Sequence, residues 1–139
     1  MDKLNIVNKT IQSDNISDFR IERYKIDNLL LTGSFDFCHY HSLELSFTEV
    51  SYISLPTEFN YPVFRIANLS EIKSIRQQIF LELEDIVYCI EAETSCSIER
   101  LPFYVVAKNM NVRVGKVYYY WKENLNADER LASWVSKSN

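Results

Sequence analysis

Two histidines, His39 and His41, stand two residues apart, and they are the only histidines in the chain. In extended backbone, side chains at i and i+2 leave on the same face. Two imidazoles on one face can address one metal ion, and Glu44 or Asp36 can add an oxygen ligand. His39, His41 and Glu44 are therefore the candidate metal set, with a further ligand to come from Asp, Glu or Cys elsewhere. The simpler expectation is polar and aromatic packing at a strand end, among Phe37, Tyr40 and Leu43, with no bound cofactor. The other intrinsically reactive groups are Cys38, Cys89 and Cys96. A catalytic thiolate needs a base within hydrogen-bond reach, and in a strand Cys38 and His39 point to opposite faces. A free cysteine of this kind is expected to behave as a small buried hydrophobe.

Gly33, five intervening residues and His39-x-His41 resemble the opening of the first cupin metal motif. The match ends there: the acid arrives early, at Glu44, and the second motif, with its own histidine and glycines, is missing. The chain has two glycines, Gly33 and Gly115. A dinucleotide fingerprint, a phosphate-cradling loop and a nucleophile elbow all need more, closely spaced. Nineteen acids allow many carboxylate pairs, but sequence spacing fixes none of them in space.

The most unusual run is Tyr118-Tyr119-Tyr120-Trp121. As a strand it places Tyr118 and Tyr120 on one face and Tyr119 and Trp121 on the other. Tyrosine and tryptophan supply large, rigid contact area with a polar tip, as interfaces favour. A covering helix bearing Trp134 would instead bury the second pair. Charge is also segregated. Residues 82–99 carry Glu82, Glu84, Asp85, Glu91, Glu93 and Glu99 with no Lys or Arg, and residues 100–122 carry Arg100, Lys108, Arg113, Lys116 and Lys122 with no acid. Adjacent antiparallel strands would pair these charges across the ladder. An acidic face offered to a basic partner is the alternative.

These residues must be positioned by a chain of 139 residues, enough for one domain with a substantial core. Fifteen Lys and Arg against nineteen Asp and Glu give a net charge of −4, which argues against nucleic acid as a partner. An odd, CxxC-free cysteine count fits reduced thiols in the cytoplasm. The first twenty residues show no leader-like apolar core, and no apolar run is long enough to span a membrane.

Residues 1–18 are polar and weakly patterned and suggest a loop or short fraying element. Strands are expected at Phe19–Ile26, Leu29–Phe37, His41–Leu55, Tyr61–Ala67 and Asp85–Glu93, with a bulge or tight turn near Glu49-Val50. Phe103–Ala107 and Met110–Val114 look like a hairpin across Lys108-Asn109, and Val117–Trp121 continues after a bulge or turn at Gly115. Leu69, Ile72, Ile75, Ile79, Phe80 and Leu83 are spaced for a helix, opened by an Asn68/Glu71 capping box. Asn126 and Glu129 suggest a second box, opening a helix whose Ala127, Leu131, Trp134 and Val135 face the sheet.

The expected architecture is a single α+β domain over 1–139. A curved, mainly antiparallel sheet of about six to seven strands is packed by a central helix (about 69–83) and a C-terminal helix (about 127–136). The expected function is a non-catalytic protein-interaction module, of the inhibitor or immunity kind, that masks a basic partner. Its partner-binding residues would be Tyr118, Tyr119, Tyr120 and Trp121 together with Glu82, Glu84, Asp85, Glu91 and Glu93. The alternatives are a metal-binding protein or enzyme centred on His39, His41 and Glu44, and a small-ligand binder with an aromatic pocket between sheet and helix. Self-association is left open.

Overall fold

The structure is a computed structural model that describes residues 2–97 and 99–137. Six antiparallel strands form a closed barrel accompanied by two helices. The strands are β1 (Asp18–Lys25), β2 (Asn28–Ser34), β3 (Tyr40–Ser54), β4 (Glu58–Ile66), β5 (Ile86–Glu93) and β6 (Leu101–Tyr118). The order β3-β2-β1-β4-β5-β6 closes on itself because β6 pairs with β3. The fourth strand returns beside the first, which is a Greek-key connection. A two-residue strand, β7 (Arg130–Leu131), adds to β6 in parallel. The sheet is therefore shut rather than open and curved, and closure removes the unpaired edges an open sheet would expose.

Alternation builds the interior. Phe19, Leu29, Leu31, Leu43, Leu45, Phe47, Phe59, Phe64, Ile90 and Val105 all point inward and are buried. Phe19 stacks on Phe59, their ring centroids 5.6 Å apart. The N-terminal residues are not a loop: Asp2–Ser13 is a helix, α1. Leu4 and Val7 join the interior cluster and Ile11 packs on it, so three apolar residues at helical spacing seat α1 against the barrel. Their signal is faint because asparagine, threonine and β-branched residues between them favour other backbone states.

The second helix, α2 (Leu69–Arg76), starts where expected. Asn68 accepts from the Glu71 N–H at 2.9 Å, and the Glu71 carboxylate accepts from the Asn68 N–H at 2.8 Å. It ends well before residue 83. Ile75 is buried and Ile72 and Ile79 pack over a second cluster outside the barrel, with Ala67, Val87, Cys89 and Val106. Beyond it the Asp85 carboxylate accepts from the Glu82 N–H at 2.8 Å and turns the chain into β5.

Two further expectations are corrected. Lys108-Asn109 is not a turn, because β6 runs unbroken for 18 residues with β3 on one side and β5 on the other. The apparent break is a shift of phase, and Lys108 uses its side chain to reach Asp85 and Glu82. The C-terminal helix is also absent. Half of its capping box forms, with Glu129 accepting from the Asn126 N–H at 2.9 Å. The chain then pairs Arg130 and Leu131 with Val117 and Tyr118 instead of winding on. A helix of about ten residues is marginal by itself, and the open end of β6 supplies stronger partners. Among the described residues, no helix is long and apolar enough to cross a membrane.

The two expected irregularities are bulges. The β3–β6 register shifts between Val50 and Tyr52 and again between His41 and Leu43, opposite Gly115. Gly115 has φ +136°. A Cβ there would overlap the carbonyl oxygen of Asp128. Gly115→Ala should therefore cost about 2–4 kcal/mol from combined backbone strain and overlap. Urea denaturation measures it, and a midpoint unchanged from wild type would show that the bulge is not constrained in this way.

Candidate functional site

The histidine pair does not share a ligand sphere. His39 is exposed, with Nδ1 2.7 Å from Asp36 and its ring edge-on to Tyr120. His41 is buried and engaged at both nitrogens. Nε2 lies 2.7 Å from Glu44 Oε2 and Nδ1 lies 2.6 Å from the Tyr119 hydroxyl. Regular alternation would send residues 41 and 44 to opposite faces, and the register shift between His41 and Leu43 brings them together. Among the described residues, no three His, Cys, Asp or Glu side chains converge as a metal site requires.

What the geometry does bring together is a chain of polar groups. Arg20 Nη2 donates to the Tyr119 hydroxyl at 3.2 Å. In the neutral tautomer whose Nε2–H donates to Glu44, His41 Nδ1 accepts from the Tyr119 hydroxyl. Glu44 Oε1 accepts from Arg130 Nη2 at 2.7 Å. β1, β3, the segment after β6 and β7 each contribute a member. Burial opposes ionisation of Glu44, but the His41 and Arg130 hydrogen bonds outweigh it and hold the carboxyl at about 2. Burial pushes Tyr119 up to about 12, so it stays a neutral donor. The chain is a clasp that fastens the C-terminal segment to the barrel wall.

A second cluster sits where α2 meets the barrel. Glu71 takes two hydrogen bonds from Arg65, at 2.7 and 3.0 Å, and one from the Tyr104 hydroxyl at 2.6 Å. Arg65 is the dominant cause that holds Glu71 at about 2, against its own burial. Arg65 also reaches Glu91 at 2.8 Å. The neighbouring Cys89 thiol is pushed up to about 12, chiefly by burial, which leaves it protonated and unreactive. Cys89 is the small buried hydrophobe expected of a free cysteine, whereas Cys38 and Cys96 are exposed.

The candidate partner-binding residues divide. Tyr118 is buried and donates to Glu129 at 2.7 Å. Tyr119 belongs to the clasp, and Trp134 packs against it with centroids 5.3 Å apart although its segment is not helical. Tyr120 and Trp121 remain exposed. Of the acids, Glu82 and Asp85 pair with Lys108, and Glu91 pairs with Arg65, so charge is matched largely within this part of the molecule. Glu84 is exposed and Glu93 is half-buried. Lys108 lies beside Asp85, and Tyr118 is ten residues further along β6, at most about 33 Å away along the strand.

Sequence reasoning missed the most exposed surface. Leu69 and Phe80 are each 85% exposed and Leu83 is 98% exposed. Leu83 lines a depression of about 470 Å³ with Ile66, Ile72, Leu81 and Val87. The helical spacing concealed it, because Phe80 and Leu83 fitted an apolar stripe that the chain leaves after residue 76. Comparison with known proteins finds no family whose model matches this chain, no similar curated protein and no similar solved structure.

The two depressed carboxyls set an acid limit. A folded-state value below the ordinary 4.5 stabilises fully above pH 4.5 and is lost as pH falls toward 2. Glu44 and Glu71 should each contribute up to about 3 kcal/mol. Urea midpoints should fall steeply from pH 4.5 to 2.5, and less steeply in Glu71→Gln, which is already weakened at pH 7. Equal slopes in the two proteins would contradict the assignment.

Proposed function

We propose that this chain is a non-catalytic protein-interaction module that works in the cytoplasm by covering a basic partner, as an inhibitor or immunity-type protein does. The observation that carries this is the exposure of Phe80 and Leu83 in the lip that follows α2, with Leu69 exposed at the start of the helix. Large side chains so exposed on a folded domain mark contact surfaces when they cluster and are rimmed by polar groups. Glu84, which is exposed, and Glu82, which also pairs with Lys108, alternate with Leu81 and Leu83, so acids flank the apolar anchor Leu83. The net charge of −4 steers a basic partner toward it, and the anchors hold the partner once docked.

Several of the buried polar and thiol groups have structural roles. His41, Glu44, Tyr119, Glu71 and Cys89 are occupied in the clasp or beneath α2. Tyr120 and Trp121, at the far end of β6, form a separate exposed face, which suits a second, smaller contact.

Photo-crosslinking in the native cytoplasm tests the proposal. Benzoylphenylalanine at position 83 should give one dominant adduct with a protein of basic isoelectric point. Phe80→Glu in the same chain should abolish it, and association should slow as salt rises. An adduct pattern no different from that of a label at exposed Lys25 would overturn the proposal. A dominant adduct from position 121 alone would move the interface to the aromatic face.

A further inference from the structure

A groove of about 590 Å³ lies between the C-terminal half of α1 and β4. Its origin is topological. β1 and β4 pair only through Asp18–Arg20 and Glu58–Asn60, because the chain before β1 is α1 rather than more strand. Along the rest of β4, the Asn8 side chain stands in for a neighbouring strand, bonding the Phe64 N–H at 3.0 Å and the Phe64 carbonyl at 2.8 Å. A bulge between Asn60 and Val63 throws Tyr61 out of the β4–β5 ladder. Tyr61 takes φ +49°, held by a hydrogen bond of its N–H to the Ser17 carbonyl at 2.8 Å. A bulky residue in that region of φ is a strained conformation, and bulges are common where a sheet re-aims a side chain next to a site.

The groove wall combines three chemistries. Ile11, Phe35, Pro62 and Val63 are apolar, and Phe35 and Tyr61 are largely exposed. Gln12 and Asn15 contribute amides. Among the described residues of the wall, Arg100 is the one that carries a charge, and it forms no ion pair with Glu99, which precedes it. Its Nε donates to the Tyr61 carbonyl at 3.0 Å, which fixes the guanidinium at the groove. Among the described residues, its two terminal nitrogens have no partner and no acid lies within ion-pair distance. A guanidinium oriented in this way is suited to a carboxylate, which it can bind through two parallel hydrogen bonds. The volume falls in the range of small-molecule sites.

We propose that this groove binds an amphipathic monocarboxylate, with its apolar body against Ile11, Phe35 and Val63 and its carboxylate on Arg100. The site is independent of the lip beside α2. A cation is repelled by Arg100, and a wholly apolar ligand leaves that charge unused.

Titration of the full isotope-labelled chain, followed by amide chemical shifts, tests it with octanoate, octanol and octylammonium as probes. Octanoate should shift the amides of Gln12, Ser17, Phe35 and Tyr61, and octanol and octylammonium should bind at least about tenfold more weakly. Arg100→Gln should weaken octanoate about tenfold and leave octanol unchanged. Phe35→Ala should weaken both. Both side chains are at the surface, and preserved spectral dispersion will show that the variants fold. The proposal is overturned by equal affinity for octanol and octanoate, by an unaffected Arg100→Gln, or by no shift at millimolar octanoate.

Discussion

The pairing of β3 with β6 is the constraint on which the molecule depends. Twelve residue pairs, from Tyr40 with Tyr118 to Ser54 with Tyr104, turn a six-strand ribbon into a closed barrel. Closure requires the strands to tilt and coil, and strands of 15 and 18 residues cannot do so while remaining regular. The bulges at His41–Leu43 and Val50–Tyr52 absorb that bending. The first of them also allows His41 to meet Glu44. The local chemistry of the barrel wall is thus a consequence of how the barrel closes.

Closure sets what is left for function. The interior is filled by Phe19, Phe47, Phe59 and Phe64, and the grooves beside α1 and α2 lie outside it. The ionisable groups near the wall are drawn into two fasteners. The Arg20–Tyr119–His41–Glu44–Arg130 chain holds the C-terminal segment, and Glu71 with Arg65 and Tyr104 holds α2. Breaking either would leave charges half-buried and unpaired, which costs more than the intact pair contributes. Outside the fasteners lie the lip of Phe80 and Leu83, the pair Tyr120 and Trp121, and Arg100 at its groove.

The strands were legible wherever one face is wet. The alternation from Leu43 to Phe47 marks β3, and the change of period at Asp85 marks β5. The Asn68–Glu71 capping box was legible because it is local, and so was Gly115, because one residue type answers one backbone need. The failures share a cause, which is that distant segments decide. Lys108-Asn109 has the composition of a turn but is held in β6 by its pairing with β3. Asn126–Glu129 has the composition of a helix start but faces the unpaired end of β6. In the site, His41 and Glu44 stood together only as members of a metal set with His39, while Arg130, Arg20 and the polar role of Tyr119 were not legible. Those contacts cross 86 residues in one case and 99 in another, and nothing in the local sequence announces them.

Native-state hydrogen exchange measures the closure most directly. If β3–β6 pairing holds the fold together, the amides of Leu43, Leu45, Phe47, Val105 and Val112 will exchange last, and only through global unfolding. Those of β7 and of the turn after α2 will open earlier and separately. Exchange of the β3–β6 amides ahead of those between β1 and β2, at a free energy well below global unfolding, would show that the seam opens by itself and would contradict the account.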